Sequence, residues 1–217
     1  MTIIVKPTLT ESLQQDRRSR AESGAKVETL RQEEPRPAPT VHATIDGIPV
    51  DVAPGATVLD AIRALGKSVP TLCYSDRMKP YGACRTCLVE HEGRKPIASC
   101  HTPVTDGGAY KTATPLLTRL RKNITELIVS DHPLECLDCT ANGRCELQSL
   151  AQDVGLRTPR YENPRTHNPP QDNSHPFIKL EMDKCIGCAR CVRACDEVQG
   201  SFVLQMAGRG YDTRVIA

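Results

Sequence analysis

Aromatic residues are almost missing from this sequence. Tryptophan is absent, and Phe, Tyr and Trp together make up 3% of 217 residues, which leaves too little bulky apolar surface for large hydrophobic cores. A charge imbalance is missing too. The 28 Lys and Arg nearly cancel the 26 Asp and Glu, for a net +2, and no long basic run supplies a pull toward nucleic acid. No segment has the length of apolar sequence that a membrane span needs. The first twenty residues carry no apolar run behind a basic start, and Arg17-Arg18 leads into polar residues, so a cytoplasmic protein is expected. Neither GxGxxG nor a P-loop nor a zincin motif occurs, and no nucleophile–base pair stands out. Substrate and nucleotide sites are therefore expected outside this chain.

Cysteine is what the chain has in excess, with eleven residues. An odd number arranged as repeated C-x2-C pairs points to metal ligation in a reducing compartment rather than to disulfides. Bound cofactors are expected to stand in for part of the missing core. The first group, Cys73, Cys84, Cys87 and Cys100, reads C-x10-C-x2-C-x12-C. The second, His132, Cys136, Cys139 and Cys145, reads H-x3-C-x2-C-x5-C. The third, Cys185, Cys188, Cys191 and Cys195, reads C-x2-C-x2-C-x3-C.

Iron–sulfur clusters need thiolates, because soft sulfur donors neutralise and retain the iron core. In the first group Tyr81-Gly82-Ala83 precedes the C-x2-C pair, and these small residues let backbone amides approach cluster sulfides, which fits a [2Fe-2S] centre. Ten residues between Cys73 and Cys84 depart from the plant-type C-x4-C-x2-C loop, and tetrahedral zinc is the alternative there. His132 at a helix C-terminus could simply oppose the macrodipole, but three closely spaced cysteines beside it favour a ligand. Histidine in place of a thiolate makes a cluster less negative and raises its potential. Three cysteines on the tight third loop can each take one iron of a [4Fe-4S] cube. In two-cluster ferredoxins the fourth cysteine of such a run serves the other cluster, and a second run supplies the missing ligand. No second run occurs here, and Asp196 follows Cys195 where proline is usual, so the chain is expected to be incomplete as an electron-transfer module.

The local patterns predict an α+β chain. Residues 1–40 are polar and end in EEPRPAPT, as a flexible arm does. VHATIDGIPVDV reads as two strands around the turn dipeptide Asp46-Gly47. Thr57 caps a short helix through Leu65 that Gly66 stops. Strands are expected at residues 88–91, 97–100 and 109–112. Thr114-Pro115 starts a helix whose apolar stripe is Leu116, Leu117, Leu120, Ile124, Leu127 and Ile128, ending at Asp131. A second helix spans residues 146–154, and the Pro- and Asn-rich residues 159–176 form a connector. Ile178, Leu180 and Met182 alternate like a strand, and residues 202–206 and 211–216 flank a hairpin turn at Gly208-Arg209-Gly210.

The segments YGACRTCLVE, DHPLECLDCTANGRCELQ and DKCIGCARCVRACDEVQG resemble the iron–sulfur region shared by the complex I large iron–sulfur subunit, NAD-reducing hydrogenase diaphorase subunits and cytoplasmic NAD-dependent formate dehydrogenase alpha subunits. The resemblance covers residues 41–217. It is strongest to the formate dehydrogenase alpha subunit, because the complex I and diaphorase relatives usually lack an equivalent of Cys195. It implies a β-grasp [2Fe-2S] ferredoxin domain (residues 41–115), a helical [4Fe-4S] segment with one His and three Cys ligands (residues 116–158), and a partial bacterial-type [4Fe-4S] ferredoxin domain (residues 177–217). Cys73, Cys84, Cys87 and Cys100 would hold the [2Fe-2S] cluster. His132, Cys136, Cys139 and Cys145 would hold a [4Fe-4S] cluster, and Cys185, Cys188 and Cys191 part of another, with Cys195 serving a fourth.

The function so implied is electron relay between a molybdenum-containing, formate-oxidising domain or subunit and a flavin/NAD-binding partner, with no bond chemistry in this chain. The diaphorase iron–sulfur subunit of a NAD-reducing hydrogenase, or a complex I-type large subunit, is the alternative in the same class. A zinc-stabilised interaction module is the alternative of another class, and three different spacings suit it poorly. An oxygen sensor built on a labile third cluster is a further alternative.

Overall fold

The computed structural model describes residues 39–92, 95–161, 171, 173–177 and 179–216. Nearly all of the expected N-terminal arm and most of the 159–176 connector lie outside these residues. The first strands are β1 (Val41–Ile45) and β2 (Ile48–Val52), paired antiparallel with Ile45 opposite Ile48. Asp46 and Gly47 both take positive φ, 52° and 80°, as a two-residue hairpin turn requires. Ala43, Ile45, Val50 and Val52 point inward at alternate positions, the period of a half-buried sheet.

Asp46 also ties the hairpin to its neighbours. Its carboxylate accepts the Thr112 N–H and hydroxyl, each at 2.7 Å, and pairs with Lys67 at 2.7 Å. Helix α1 (Val58–Ala64) starts at a reciprocal cap, in which Thr57 Oγ1 accepts the Asp60 N–H at 3.2 Å and the Asp60 carboxylate accepts the Thr57 N–H at 2.8 Å. It buries Val58, Leu59, Ala61 and Ile62 against the sheet. Strands β3 (Leu88–His91), β4 (Ile97–Ala98) and β5 (Gly108–Lys111) complete a sheet of order β2-β1-β5-β3-β4, with β1 and β5 parallel and the other pairs antiparallel. A mixed sheet clasping one helix is the β-grasp arrangement. Cys87 and Cys100 belong to its core, where aromatic side chains are scarce.

Helix α2 (Pro115–Ser130) begins as expected, with Thr114 Oγ1 accepting the Leu117 N–H and donating to Glu90 at 2.6 Å. The stripe expected on it is only partly buried. Leu117 is covered, but Leu116 and Leu127 are 36% and 51% exposed, and Thr125, Glu126, Val129 and Ser130 are buried instead. Two polar anchors set this rotation: Arg121 donates to the Leu88 carbonyl at 2.6 Å, and buried Glu126 accepts from Arg160 Nε at 2.9 Å. Helix α3 (Glu146–Asp153) buries Leu147 and Leu150. These two pack with Leu72 and Val129 in a second small core, which Cys84, Cys145 and Ile186 flank.

The strand expected around Met182 does not form. Met182–Lys184 is a single 3-10 turn, because the backbone is already curling toward Cys185, and Ile178 lies outside the described residues. Helix α4 (Arg190–Arg193) runs into one π-helical turn, Ala194–Val198, and the chain returns through the antiparallel pair β6 (Gln205–Ala207) and β7 (Arg214–Ile216). No helix among the described residues is long and apolar enough to cross a membrane.

The Asp46 contacts make a measurable prediction. Burial raises its carboxyl pKa, but Lys67 and Thr112 outweigh that and leave it below the ordinary 3.8. Its stabilisation is therefore complete above pH 3.8 and lost as the pH falls through the lower folded value. Asp46→Asn should cost about 1 kcal/mol near neutral pH in urea unfolding, with the two proteins converging in acid.

Candidate metal centres

The first group gathers between the sheet and the second small core. Cys73, Cys87 and Cys100 are buried and Cys84 is half-buried. They associate as two pairs: Cys73 shares a hydrogen bond with Cys84, and Cys100 with Cys87. The Cys84 N–H also points at the Cys73 sulfur, 3.4 Å away. Through these bonds the Cys84 thiol is pulled down to about 4 and the Cys87 thiol to about 6, while Cys73 and Cys100 are pushed above the usual thiol range. Thr86 supports Cys84 at 3.2 Å, and Ser99 Oγ holds the Cys87 carbonyl at 2.8 Å. The loop between the pairs turns through positive φ at Gly82 (71°) and at Arg85 (59°). A non-glycine residue held there is strained, and such strain concentrates at ligand-binding loops.

Two thiol pairs facing each other suit a two-iron cluster better than one zinc ion, which needs four sulfurs at about 2.3 Å from a single point. Among the described residues no three His, Cys, Asp or Glu side chains converge on such a point. A second observation also fits an anionic cluster. Arg121 is buried next to the Cys87–Leu88 segment, and its Nε–H has no hydrogen-bond partner. Burial lowers the pKa of its guanidinium, and the Cys87 charge opposes that shift.

All four members of the second group line one cavity of about 150 Å³, otherwise walled mainly by Val129, Pro133, Leu134, Leu147, Ala151 and Leu156. His132 Nδ1 lies 2.8 Å from the Pro133 carbonyl. A carbonyl only accepts, so the proton is on Nδ1 and Nε2 carries the lone pair, the tautomer a ligating imidazole uses. Cys145 is the residue before α3, at the positive end of that helix. The intervening loop is fixed by Gln148, which accepts the Gly143 N–H and donates to Asn142, both at 2.9 Å. Lys184 reaches the same cavity and the neighbourhood of Cys139.

In the third group Gly187 and Ala189 take positive φ, 63° and 56°, which bends the chain back over its own sulfurs, and the Gly187 N–H points at Cys185 Sγ at 3.4 Å. Burial raises the Cys191 pKa, and the nearby Cys188 and Cys185 charges raise it further, so these three sulfurs are neighbours. Cys195 is turned elsewhere. Its sulfur lies 3.0 Å from Ser201 Oγ, which, with the Leu204 and Val203 N–H groups, lowers its pKa.

Two arginines beside Cys191 tie the groups together. Arg190 Nε donates to the Leu72 carbonyl at 2.6 Å, next to Cys73, and its guanidinium pairs with Glu146, next to Cys145. Arg193, 8% exposed, donates to the Cys73 carbonyl at 3.3 Å, to the Lys79 carbonyl and to Glu197 at 3.1 Å. Glu197 in turn accepts the Lys79 N–H at 2.7 Å, and the Arg193 guanidinium stacks 5.0 Å from the Tyr81 ring centre. Cysteine spacing pointed to none of Arg121, Arg190, Arg193 or Lys184. The run CARCVRAC did display two of these cations, but which carbonyls they reach is a tertiary matter.

Three family profiles match the chain in series: a 2Fe-2S iron–sulfur cluster binding domain over residues 38–115, the NADH-ubiquinone oxidoreductase-G iron–sulfur binding region over 121–160, and the ferredoxin-like domain of NADH-quinone oxidoreductase subunit 3 over 175–217. A solved NAD+-reducing [NiFe]-hydrogenase superposes with a TM-score of 0.76 at 34% identity, over 82% of this chain and 74% of that one. The chain belongs to the NADH-quinone oxidoreductase 75 kDa family of iron–sulfur proteins. Within that family it is 42% identical over 180 residues to the NADP-reducing hydrogenase subunit HndD of Solidesulfovibrio fructosivorans, and 39% identical over 176 residues to the NADH-ubiquinone oxidoreductase 75 kDa subunit of Reclinomonas americana. These matches cover 80% and 81% of this chain but only 30% and 25% of the relatives. Domains that bind [2Fe-2S] and [4Fe-4S] clusters are thus present, as the cysteine groups led us to expect.

The separation of Cys195 from its neighbours can be tested by iron and sulfide analysis of the anaerobically purified chain. Cys188→Ala should lower iron content by the share of one cluster, whereas Cys195→Ser should leave it unchanged. Equal losses in the two variants would mean that Cys195 ligates with the others.

Proposed function

We propose that this chain is a one-electron relay of the diaphorase type, working between a flavin/NAD-binding subunit and a second redox centre of a multisubunit oxidoreductase. The observation that carries the reading is Arg190, which flanks Cys191 and bonds to groups adjacent to both Cys73 and Cys145. Three cysteine groups that meet around one side chain suit short electron-transfer steps between clusters. Cys73 and Cys84 would bind one iron of a [2Fe-2S] cluster and Cys87 and Cys100 the other. His132 Nε2 with Cys136, Cys139 and Cys145 would hold a [4Fe-4S] cluster, and Cys185, Cys188 and Cys191 three corners of another. The printed names of the relatives support nicotinamide-linked electron transfer in the parent complexes.

A second reading is the corresponding segment of a molybdenum-containing, NAD-dependent formate dehydrogenase. What favours it is Cys195, whose sulfur turns to Ser201 rather than to the other three, as a ligand reserved for a neighbouring cluster does. Metal analysis of the native complex separates the two readings: molybdenum in stoichiometric amount supports the formate dehydrogenase, and nickel or neither metal supports the diaphorase type.

Iron and acid-labile sulfide, with low-temperature EPR signals of both cluster types after reduction, are expected from the anaerobically purified chain. Stoichiometric zinc without sulfide would instead support an interaction module. His132→Cys should retain the second cluster but lower its potential by adding thiolate charge, and an unchanged potential would count against histidine ligation.

A further inference from the structure

We infer that Arg121, on the helix that follows the β-grasp domain, is the positioning residue that sets the reduction potential of the first cluster from outside the domain that holds it. The inference rests on the proposed [2Fe-2S] site. Its starting point is a buried cation that fold stability alone does not explain. The guanidinium donates to one described acceptor, the Leu88 carbonyl, at 2.6 Å, and leaves a buried Nε–H unsatisfied. A buried donor without an acceptor ordinarily costs about 1–3 kcal/mol in other proteins. An apolar residue here would avoid that cost, so the charge is retained for something else nearby.

Leu88 directly follows Cys87, and the charge on Cys87 is the one that acts on Arg121. No salt bridge to a carboxylate is present among the described residues. Arg190, Arg193 and Arg160 differ in this respect, because Glu146, Glu197 and Glu126 offset them. Arg121 is therefore the cation at the first site whose field is not cancelled by a bound carboxylate.

The sign of the effect follows from charge. Reducing the cluster by one electron adds one negative charge, and a fixed cation nearby stabilises the reduced form and raises the potential. Helix α2 places that cation: Thr114 fixes its start to Glu90 on β3, and the Leu88 carbonyl fixes the guanidinium. About 14 Å of helix separates Arg121 from Ser130 at 1.5 Å per residue, so the second cluster, beyond Ser130, is much less affected.

The test is a redox titration of the full chain, followed by the EPR signal of the reduced [2Fe-2S] cluster. In Arg121→Gln the ratio of reduced to oxidised cluster at fixed potential should fall by roughly tenfold, about 59 mV for a one-electron couple, with the [4Fe-4S] signals unmoved. Arg121→Lys keeps the charge and should restore most of the shift, and Arg119→Gln, on an exposed part of the same helix, should leave the potential alone. An unchanged potential in Arg121→Gln, or an equal shift in Arg119→Gln or in Arg121→Lys, overturns the inference. If Arg121→Gln loses the cluster, Arg121→Met replaces it with the same expectation. Loss in both with retention at the native potential in Arg121→Lys still supports a role for charge, and loss in Arg121→Lys too reduces Arg121 to packing. Absence of a [2Fe-2S] signal from the unaltered chain would instead sink the ligand assignment itself.

Discussion

Sulfur that binds iron must give up its proton, and an ionised sulfur can be buried only where cations, N–H donors or the iron itself balance its charge. Most of the structure follows from that constraint. Cys73, Cys87 and Cys100 are buried in a chain with few aromatic side chains, so the apolar packing that would normally occupy those positions is absent. In its place are the mutual bonds of the thiol pairs, the Thr86 and Ser99 hydroxyls, and backbone N–H groups turned inward at positive φ. The same logic appears at Gly187, whose N–H faces Cys185, and at His132, where a carbonyl fixes the tautomer so that a neutral nitrogen can replace a thiolate.

The constraint also explains why the three segments pack as they do. Each hydrophobic cluster is small, and Leu72, Val129, Leu147 and Leu150 form the patch shared by the first domain and the two helices after it. Polar contacts carry the rest of the association. Arg190 and Arg193 place two guanidinium groups on the carbonyls of Leu72 and Cys73, and Arg121 places a third on Leu88. The cations that hold the segments together are thus also the charges closest to the first sulfur group. Docking and electrostatics are the same set of contacts.

Much of this was legible in the sequence. Asp46-Gly47 announced the hairpin, Thr57 and Thr114 announced two helix starts, and the cysteine spacings announced the metal groups. These features are local, governed by turn geometry, capping and ligand reach. The burial face of α2 was not legible, because Arg121 and Glu126 find their partners at Leu88 and Arg160, far along the chain, and that rotates Leu116 and Leu127 outward. The alternation of Ile178, Leu180 and Met182 misled for a related reason: the backbone at Met182 answers to the tight loop that follows rather than to its own pattern. The divergence of Cys195 from its three neighbours depends on Ser201, which no spacing rule connects to it.

The central claim is that the cysteine groups hold distinct clusters near enough to exchange electrons. Pulsed EPR on the full chain, poised so that the [2Fe-2S] cluster is reduced and the [4Fe-4S] clusters are either oxidised or reduced, addresses it directly. The account predicts that the [2Fe-2S] spin relaxes faster once a [4Fe-4S] cluster becomes paramagnetic, because the sites adjoin through Arg190. Relaxation that is indifferent to the state of the [4Fe-4S] clusters would place them too far apart for a relay and contradict the account.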